Sequence, residues 1–583
     1  MKKYILPLFL LLGFTSCNDE FLERDPIEKQ TEGTAFVSYE NFKTYAWGLY
    51  ETFNDKNNYV RGIDNNYMGY NSDESAGWLM DNGTTDVNKY RTQNAITPSA
   101  TGAGGWNFNY VRRVNLMLDN IDKSSMSQAD KDHWRSVGYF FRAYKYFELI
   151  SRFGDVPWID KVLKEDSPEL MGERTPRDEV ATHVLENLQF AEQHIKAKGD
   201  GKNTINKNVV QALMSRYCLF EGTWRKYHKL GDEKKYIDEC VRVSEELIAA
   251  FPQVDPSYDA LLTTDDLSTY KGIILYKVYA TDLITNLATR YERSEMAVTE
   301  MPKSTVELYL SSNGKPIYNK ANDKYDGDKT MNDEFRNRDR RLLLTVVPPF
   351  CMEKEVEKAG SPTFIVPTDP KKIIYNFRGY YDNPKVDNYE YMKLIDDLRA
   401  KNLTGKRLPL YNWSSIRLAI YSPHMAGTGE TQMQTRSGYN IWRQLNYWDD
   451  TKAGHVDRPI FWIDEVLLNL AEASFEKNGN LSQAVADLTI NKLRDRAGVA
   501  HMNVSEIDAS FDPVRDLGVT GGVDDYAVDP VLWEIRRERI VELMCTGSGF
   551  YDIRRWKKGP WYINRPQIGA YMNKDLWFSL NKA

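Results

Sequence analysis

Between residues 137 and 251 apolar side chains return every three or four positions along the chain. Val137, Phe140, Phe141, Tyr144, Phe147 and Ile150 predict an amphipathic helix that ends near Gly154 and Pro157. Thr175-Pro176-Arg177-Asp178 reads as the next helix start, with Thr as N-cap, Pro in the first helical position and an acid near the positive end of the dipole. Val180, Val184, Leu188, Ala191 and Ile195 form its stripe. Val209, Ala212, Leu213 and Phe220 mark a third helix, and Tyr236, Cys240, Val243, Leu247 and Phe251 a fourth. Another hairpin is expected at 460–496. There Trp462, Val466, Leu470 and Ala473 line one face, Asn478-Gly479-Asn480 breaks the helix, and Leu481, Val485 and Leu488 begin the return.

In that last hairpin the small residues Ala471, Ala473, Gly479 and Ala484 resemble those of a tetratricopeptide unit, where they let two helices approach closely. No strict period runs along the whole chain. Two regions break the helical pattern. Residues 54–110 hold few periodic apolar positions and many Asn, Asp, Gly and aromatics. Residues 252–460 mix polar loops with strand-like runs such as Ile273-Ile274-Leu275-Tyr276 and Leu343-Leu344-Thr345-Val346-Val347. Long ordered loops on a rigid scaffold are where binding surfaces usually sit. The expected fold class is mostly α: tetratricopeptide-like helical hairpins with a loop-rich face and a few short strands.

The N-terminus changes the picture. Lys2 and Lys3 precede an apolar stretch, Tyr4 to Phe14, that is too short to span a bilayer. Phe14-Thr15-Ser16-Cys17 follows and resembles a bacterial lipoprotein signal, with Phe14 where Leu is usual. Cleavage before Cys17 and acylation of that residue are expected, and several acyl chains at about 0.8 kcal/mol per buried methylene hold a protein firmly to a membrane. Residues 1–16 are then signal peptide, 17–35 a lipidated tether, and 36–583 one helical domain with halves at 36–250 and 251–583. The acidic Asn18-Asp19-Glu20 resembles signals that direct such proteins to the outer face of an outer membrane. Cys218, Cys240, Cys351 and Cys545 have no CxxC spacing, and Cys240 sits on an apolar helical face as a buried thiol would.

The formal charge of −7 on 583 residues argues against a general nucleic-acid surface, which needs clustered Lys and Arg. Aromatics reach 13%, which on an acidic chain suits neutral, faceted ligands better than phosphates. The seven His form no HExxH or Cys/His cluster. Gly102-Ala103-Gly104-Gly105 lacks the Lys-Ser/Thr of a phosphate loop, and Gly547-Ser548-Gly549 makes no GxSxG elbow. Neither an enzyme nor a cofactor is expected, although a glycosidase's two carboxylates need not be near in sequence.

A collinear set of segments carries a family resemblance. Phe140-Phe141-Arg142-Ala143-Tyr144 leads to Arg152-Phe153-Gly154-Asp155-Val156-Pro157, then to Arg174-Thr175-Pro176 and Glu221-Gly222-Thr223-Trp224. Asp339-Arg340-Arg341-Leu342 stands where the family has Asp-Pro-Arg-Leu. Gly438-Tyr439, Asp457-Arg458-Pro459-Ile460 and Glu465-Val466-Leu467-Leu468-Asn469-Leu470-Ala471-Glu472-Ala473 follow in order. Asn491, Arg494-Asp495-Arg496-Ala497-Gly498-Val499, Arg537-Glu538-Arg539, Glu542-Leu543 and Tyr551-Asp552-Ile553-Arg554-Arg555-Trp556 complete the set. The chain thereby resembles the SusD/RagB family of outer-membrane nutrient-binding lipoproteins along almost its whole mature length. The resemblance implies glycan capture at the cell surface and delivery to a TonB-dependent SusC-like barrel. Its alternatives are peptide capture, a transporter lid without ligand of its own, or a hydrolase.

The charged signature residues Glu465, Glu472, Arg494, Arg496, Glu538, Arg539, Asp552, Arg554 and Arg555 read as ion pairs between hairpins. Sugar binding asks for something else, because pyranose C–H faces pack on aromatic rings while hydroxyls need planar donors and acceptors. The segment 67–107 has that chemistry in Tyr67, Tyr70, Asn71, Asp73, Glu74, Trp78, Tyr90 and Arg91, whereas Trp106 reads as structural. Tyr291, Glu292 and Arg293 are expected to close the opposite side of a cleft, with Trp442 or Trp448 further on. The ligand-binding candidates are therefore Tyr70, Asp73, Trp78, Arg91, Tyr291, Arg293, Trp442 and Trp448, with Cys17 as lipidation site and no metal.

Overall fold

In a computed structural model the protein is described at residues 36–53, 80–81, 105–280, 284–286, 299–329, 331–346, 350–352, 373–375, 397–398, 400–401, 403–404, 437–439, 441–444, 455–518, 526–559 and 568–571. The principal helices are α1 (Tyr39–Leu49), α2 (Asn109–Ile121), α3 (Gln128–Phe153), α4 (Arg177–His194), α5 (Lys207–His228), α6 (Glu233–Ala250), α7 (Arg340–Thr345), α8 (Ile463–Asn478), α9 (Gln483–Leu488), α10 (Ile490–Ala497), α11 (Pro530–Glu542) and α12 (Ser548–Arg555). The strands are β1 (Met80–Asp81), β2 (Ile273–Lys277), β3 (Thr299–Glu300), β4 (Phe350–Met352), β5 (Ile373–Tyr375) and β6 (Arg458–Trp462). They pair antiparallel as β1–β3, β2–β6 and β4–β5.

The expected stripes make one continuous helical stack. α2 packs on α3, α3 on α4, α4 on α5, α5 on α6, α6 on α8 and α8 on α11. Phe140, Phe141, Phe147, Val184, Leu188, Leu213, Cys240 and Leu247 are all buried in its core. Local chemistry sets the helix ends. Ser127 caps α3 by accepting from Asp130 N, Asn206 caps α5 by accepting from Val209 N, and α8 ends at Gly479 with φ +72°. That left-handed conformation costs glycine no Cβ clash.

Four details differ from the expectation. α4 starts at Arg177, whose N–H donates to Asp155 at 2.8 Å, while Thr175 bridges Val156 and its hydroxyl accepts from Trp158 N at 2.9 Å. Asp155 thus takes the role assigned to Thr175. Leu343-Leu344-Thr345 is helical, in α7, because Asp339 caps the turn by accepting from Arg341 N. The return of the 460–496 hairpin divides into α9 and α10 at Thr489, leaving Leu488 exposed. Its buried small residue is Ala486, and Ala484 faces solvent.

The charged signature residues hold helices together. Glu472 accepts from both arms of Arg555 at 2.7 and 2.6 Å and from Trp556 Nε1 at 2.6 Å. Arg216 spans α5 to α8 through Glu465 at 2.7 and 2.6 Å. Arg494 donates to Glu538 at 2.9 Å, Arg496 to Asp464 and Glu542 at 2.9 and 2.5 Å, and Arg539 to Asp552 and Asn469. Burial alone would raise the Glu472 carboxyl, but the Arg555, Arg539 and Arg536 guanidiniums hold it down at about 2. Cys218, Cys240 and Cys545 are buried and in no disulfide.

Candidate functional site

Three segments that are remote in sequence meet at one junction. β1, at the end of residues 54–79, pairs with β3, with Met80 opposite Glu300 and Asp81 opposite Thr299. The chain then continues to Met301, whose N–H donates to Tyr439 O at 2.9 Å, and to Lys303, whose N–H donates to Ile568 O at 2.9 Å. Ala570 N reaches Ser437 O at 2.7 Å, and Val346 bridges Ile441. The segments singled out around Trp78, Tyr291 and Trp442 are therefore tied to one another by backbone hydrogen bonds at their described ends.

At the end of β2, burial lowers the Lys277 ammonium below its ordinary value, and the Glu51 carboxylate, just after α1, opposes that shift.

Beneath the junction lies a charged network. The Lys303 ammonium contacts Asp328, stands 3.5 Å from Glu334 and 4.0 Å from Glu307. Tyr439 donates its hydroxyl to Glu334 at 2.7 Å, and Tyr318 donates to Glu307 at 2.7 Å. Burial pulls the Lys303 ammonium down, but Glu334, Asp328 and Glu307 lift it above its ordinary value. Burial raises the Glu334 carboxyl, against the pull of Lys303 and the Tyr439 hydroxyl. A buried cation shared by three carboxylates fixes the helical turn that follows β3, since moving any one partner strands the others.

Around this network aromatic and apolar surface is open to solvent. Tyr318 is 43% exposed, Tyr571 46% and Ile568 55%. Tyr318 is oriented by Glu307, so an aromatic face is held beside a carboxylate edge, the combination that pyranose rings require. Sequence reasoning missed Tyr318 and Tyr571. The run Tyr318 to Asp328 carries the same aromatic, Asn, Asp and Gly mixture that singled out residues 67–91, and that signal was readable.

Trp442 corrects the expectation. It is 0% exposed, and its indole N–H donates to Leu343 O at 3.0 Å, so it offers no ring face to a ligand. Its role is to pin the 441–444 segment on α7, where Trp442 N also donates to Thr345 O at 2.9 Å. Tyr70, Asp73, Trp78, Arg91, Tyr291, Arg293, Trp448 and Cys17 lie outside the described residues. Trp106 is packed edge-on against Phe153 at 5.0 Å and Phe108 at 5.4 Å, the structural role read for it. Among the described residues no helix is long and apolar enough to cross a membrane.

A stack of helical hairpins with loops gathered at one junction defines a scaffold-and-loop protein, and comparison with known families shows which. Residues 278–575 match the model described as the SusD family, and residues 20–219 match one described as starch-binding, associating with outer membrane. The chain belongs to the SusD family. It is 24% identical to the SusD-like protein P2 of Formosa agariphila over 237 residues, a match that spans 39% of this chain and 45% of that protein. The fold is similar to a SusD-like carbohydrate-binding protein from Bacteroides fragilis, with TM-score 0.60, 18% identity, and coverage of 90% of this chain and 88% of that one. A second SusD-like protein from the same species gives TM-score 0.57 and 18% identity, covering 92% and 89%.

Proposed function

We propose that this protein is a surface glycan-capture lipoprotein, anchored through Cys17, which passes oligosaccharide to a TonB-dependent SusC-like barrel and does not cleave it. The observation that carries the reading is the junction: β1–β3 pairing and the Met301–Tyr439 bond bring together the bases of the segments with sugar-binding chemistry. Exposed Tyr318 beside Glu307 adds the same chemistry on described residues. The family model's description as starch-binding and outer-membrane-associating supports both the ligand class and the location. The carbohydrate-binding name of the B. fragilis neighbour points the same way. Trp78, Tyr70, Asp73, Arg91, Tyr291, Arg293 and Trp448 are the ligand contacts of this proposal, on the single domain 36–583.

The test is calorimetric titration of the form starting at residue 18 with an oligosaccharide panel, with and without Trp78→Ala and Tyr318→Ala. Saturable binding lost in Trp78→Ala, with no product formed, is the expected result. Released sugar sinks the non-enzymatic reading. Binding of peptides and not glycans moves the ligand class. Co-purification with the barrel from solubilised outer membranes checks the partner.

A further inference from the structure

α1 buries Phe42, Ala46 and Leu49 against the core, so its backbone is fixed. On its outer side Trp47 is 54% exposed, the one tryptophan among the described residues with so open a ring. Leaving an indole in water forfeits most of the burial energy that a core position would supply. Its surroundings are ordered. The Lys43 ammonium stands 5.3 Å from the ring centroid and is held by Asp200 at 2.9 Å. One turn further on, Arg113 donates to Glu51 at 3.0 Å and to Gly48 O at 2.8 Å. That guanidinium also lies over the Tyr110 ring at 5.2 Å, and a Cβ at Gly48 would come within 2.9 Å of it.

Both cations of this patch are thus paired with carboxylates. A phosphate or nucleic-acid ligand would meet no excess positive charge here, and a lipid surface would meet two ion pairs around a single ring. What fits is a neutral ring with a C–H face for the indole and hydroxyls for a preset ammonium, guanidinium and two carboxylates. The patch also directly precedes residues 54–79 in the chain. We propose that Trp47 is a second stacking surface for a pyranose ring, at the foot of the loops and on rigid scaffold, extending contact along a chain-like glycan; this rests on the glycan-capture reading above. A platform outside the loops makes retention depend on glycan length, because one polymer engages two places at once.

The test is native affinity electrophoresis of the full chain in gels containing amylopectin, xyloglucan, galactomannan or laminarin, comparing wild type with Trp47→Ala, Trp47→Phe and Trp78→Ala. The expected result is about tenfold weaker retention for Trp47→Ala on the polysaccharide that retains wild type, with most of it restored in Trp47→Phe. Unchanged retention in Trp47→Ala overturns the platform while leaving loop capture standing. Failure of all four polysaccharides to retain wild type overturns both readings for these ligands. The chain labelled with 5-fluorotryptophan provides a readout independent of stability, the Trp47 resonance being assigned by its loss in Trp47→Phe. A saturable shift of that resonance with an oligosaccharide of the retaining polymer supports the site. A static resonance overturns it, as does a shift produced only by phosphatidylethanolamine–phosphatidylglycerol vesicles.

Discussion

In the hairpins from Gln128 to Ala250, neighbouring helices meet through rings and aliphatic chains and, between α4 and α5, through one buried pair, Arg177–Glu221 at 2.6 Å. Phe147 of α3 lies 5.2 Å from Phe220 and 5.4 Å from Tyr217 of α5. In the helices from Ile463 to Arg555 they meet through buried charge, as in Glu472–Arg555, Arg494–Glu538, Arg496–Glu542 and Arg539–Asp552. The first kind of contact is non-directional, and any well-sized apolar side chain satisfies it. The second works only with named partners in fixed geometry, because a lone buried charge is costly. Charge contacts therefore leave a literal sequence signature where apolar contacts leave only a period.

The sharpest way to break this contrast is to remove one partner of a buried pair. Glu472→Ala leaves Trp556 Nε1 without its acceptor and Arg555 with Asp552 as its remaining carboxylate, and urea denaturation should show a loss of about 3–5 kcal/mol. Joint replacement as Glu472→Leu with Arg555→Met should recover a large part of that loss, and no recovery would deny that the stranded charge is the cause.

A second test concerns the apolar half, where His133 is buried against Tyr39 and Trp134. Burial, aided by the nearby Lys196 ammonium and opposed by Asp200 and Asp130, lowers its pKa to about 4 from 6.5. Because the folded value is depressed, the associated stability is full above pH 6.5 and is lost as pH falls from there through 4, amounting to about 3 kcal/mol. In His133→Asn, whose side-chain oxygen can still accept from Lys196 N, denaturation midpoints between pH 7 and 4 should lose that slope. The Glu472 carboxylate adds a separate acid limb, present above its ordinary 4.5 and lost as pH falls through about 2.

Smaller effects sharpen the contrast from the other side. Ile150→Val trims a buried aliphatic chain and should cost about 1 kcal/mol by the same denaturation measurement. Lys234→Ala removes an exposed i,i+4 partner of Asp238 and should change stability by less than about 0.5 kcal/mol. A larger change there would mean that surface pairs matter more in this fold than solvent screening allows.

The same distinction explains what could be read in advance. Helices α3 to α6 and α8 were legible from their stripes, and Glu465, Glu472, Arg494 and Arg555 from their place in the signature. Leu343-Leu344-Thr345 was not, because a short apolar run fits a strand and a buried helix turn equally well, and Asp339 decides it by capping. Trp442 was misplaced because a tryptophan in a polar neighbourhood looks the same whether its N–H faces water or a carbonyl such as Leu343 O. The junction left no local trace at all. Met80 finds Glu300, and Met301 finds Tyr439, through tertiary placement, and no spacing rule connects them.

The short β1–β3 ladder has a consequence for how such a protein diversifies. A segment whose entry and exit are both clamped to scaffold is an exchangeable cassette, since doubling its length costs only about 0.6 kcal/mol in closure entropy. Residues 54–79 can then lengthen, shorten or change composition from one lineage to another while the helical stack keeps its register. New specificities would arise by rewriting what lies between two fixed posts.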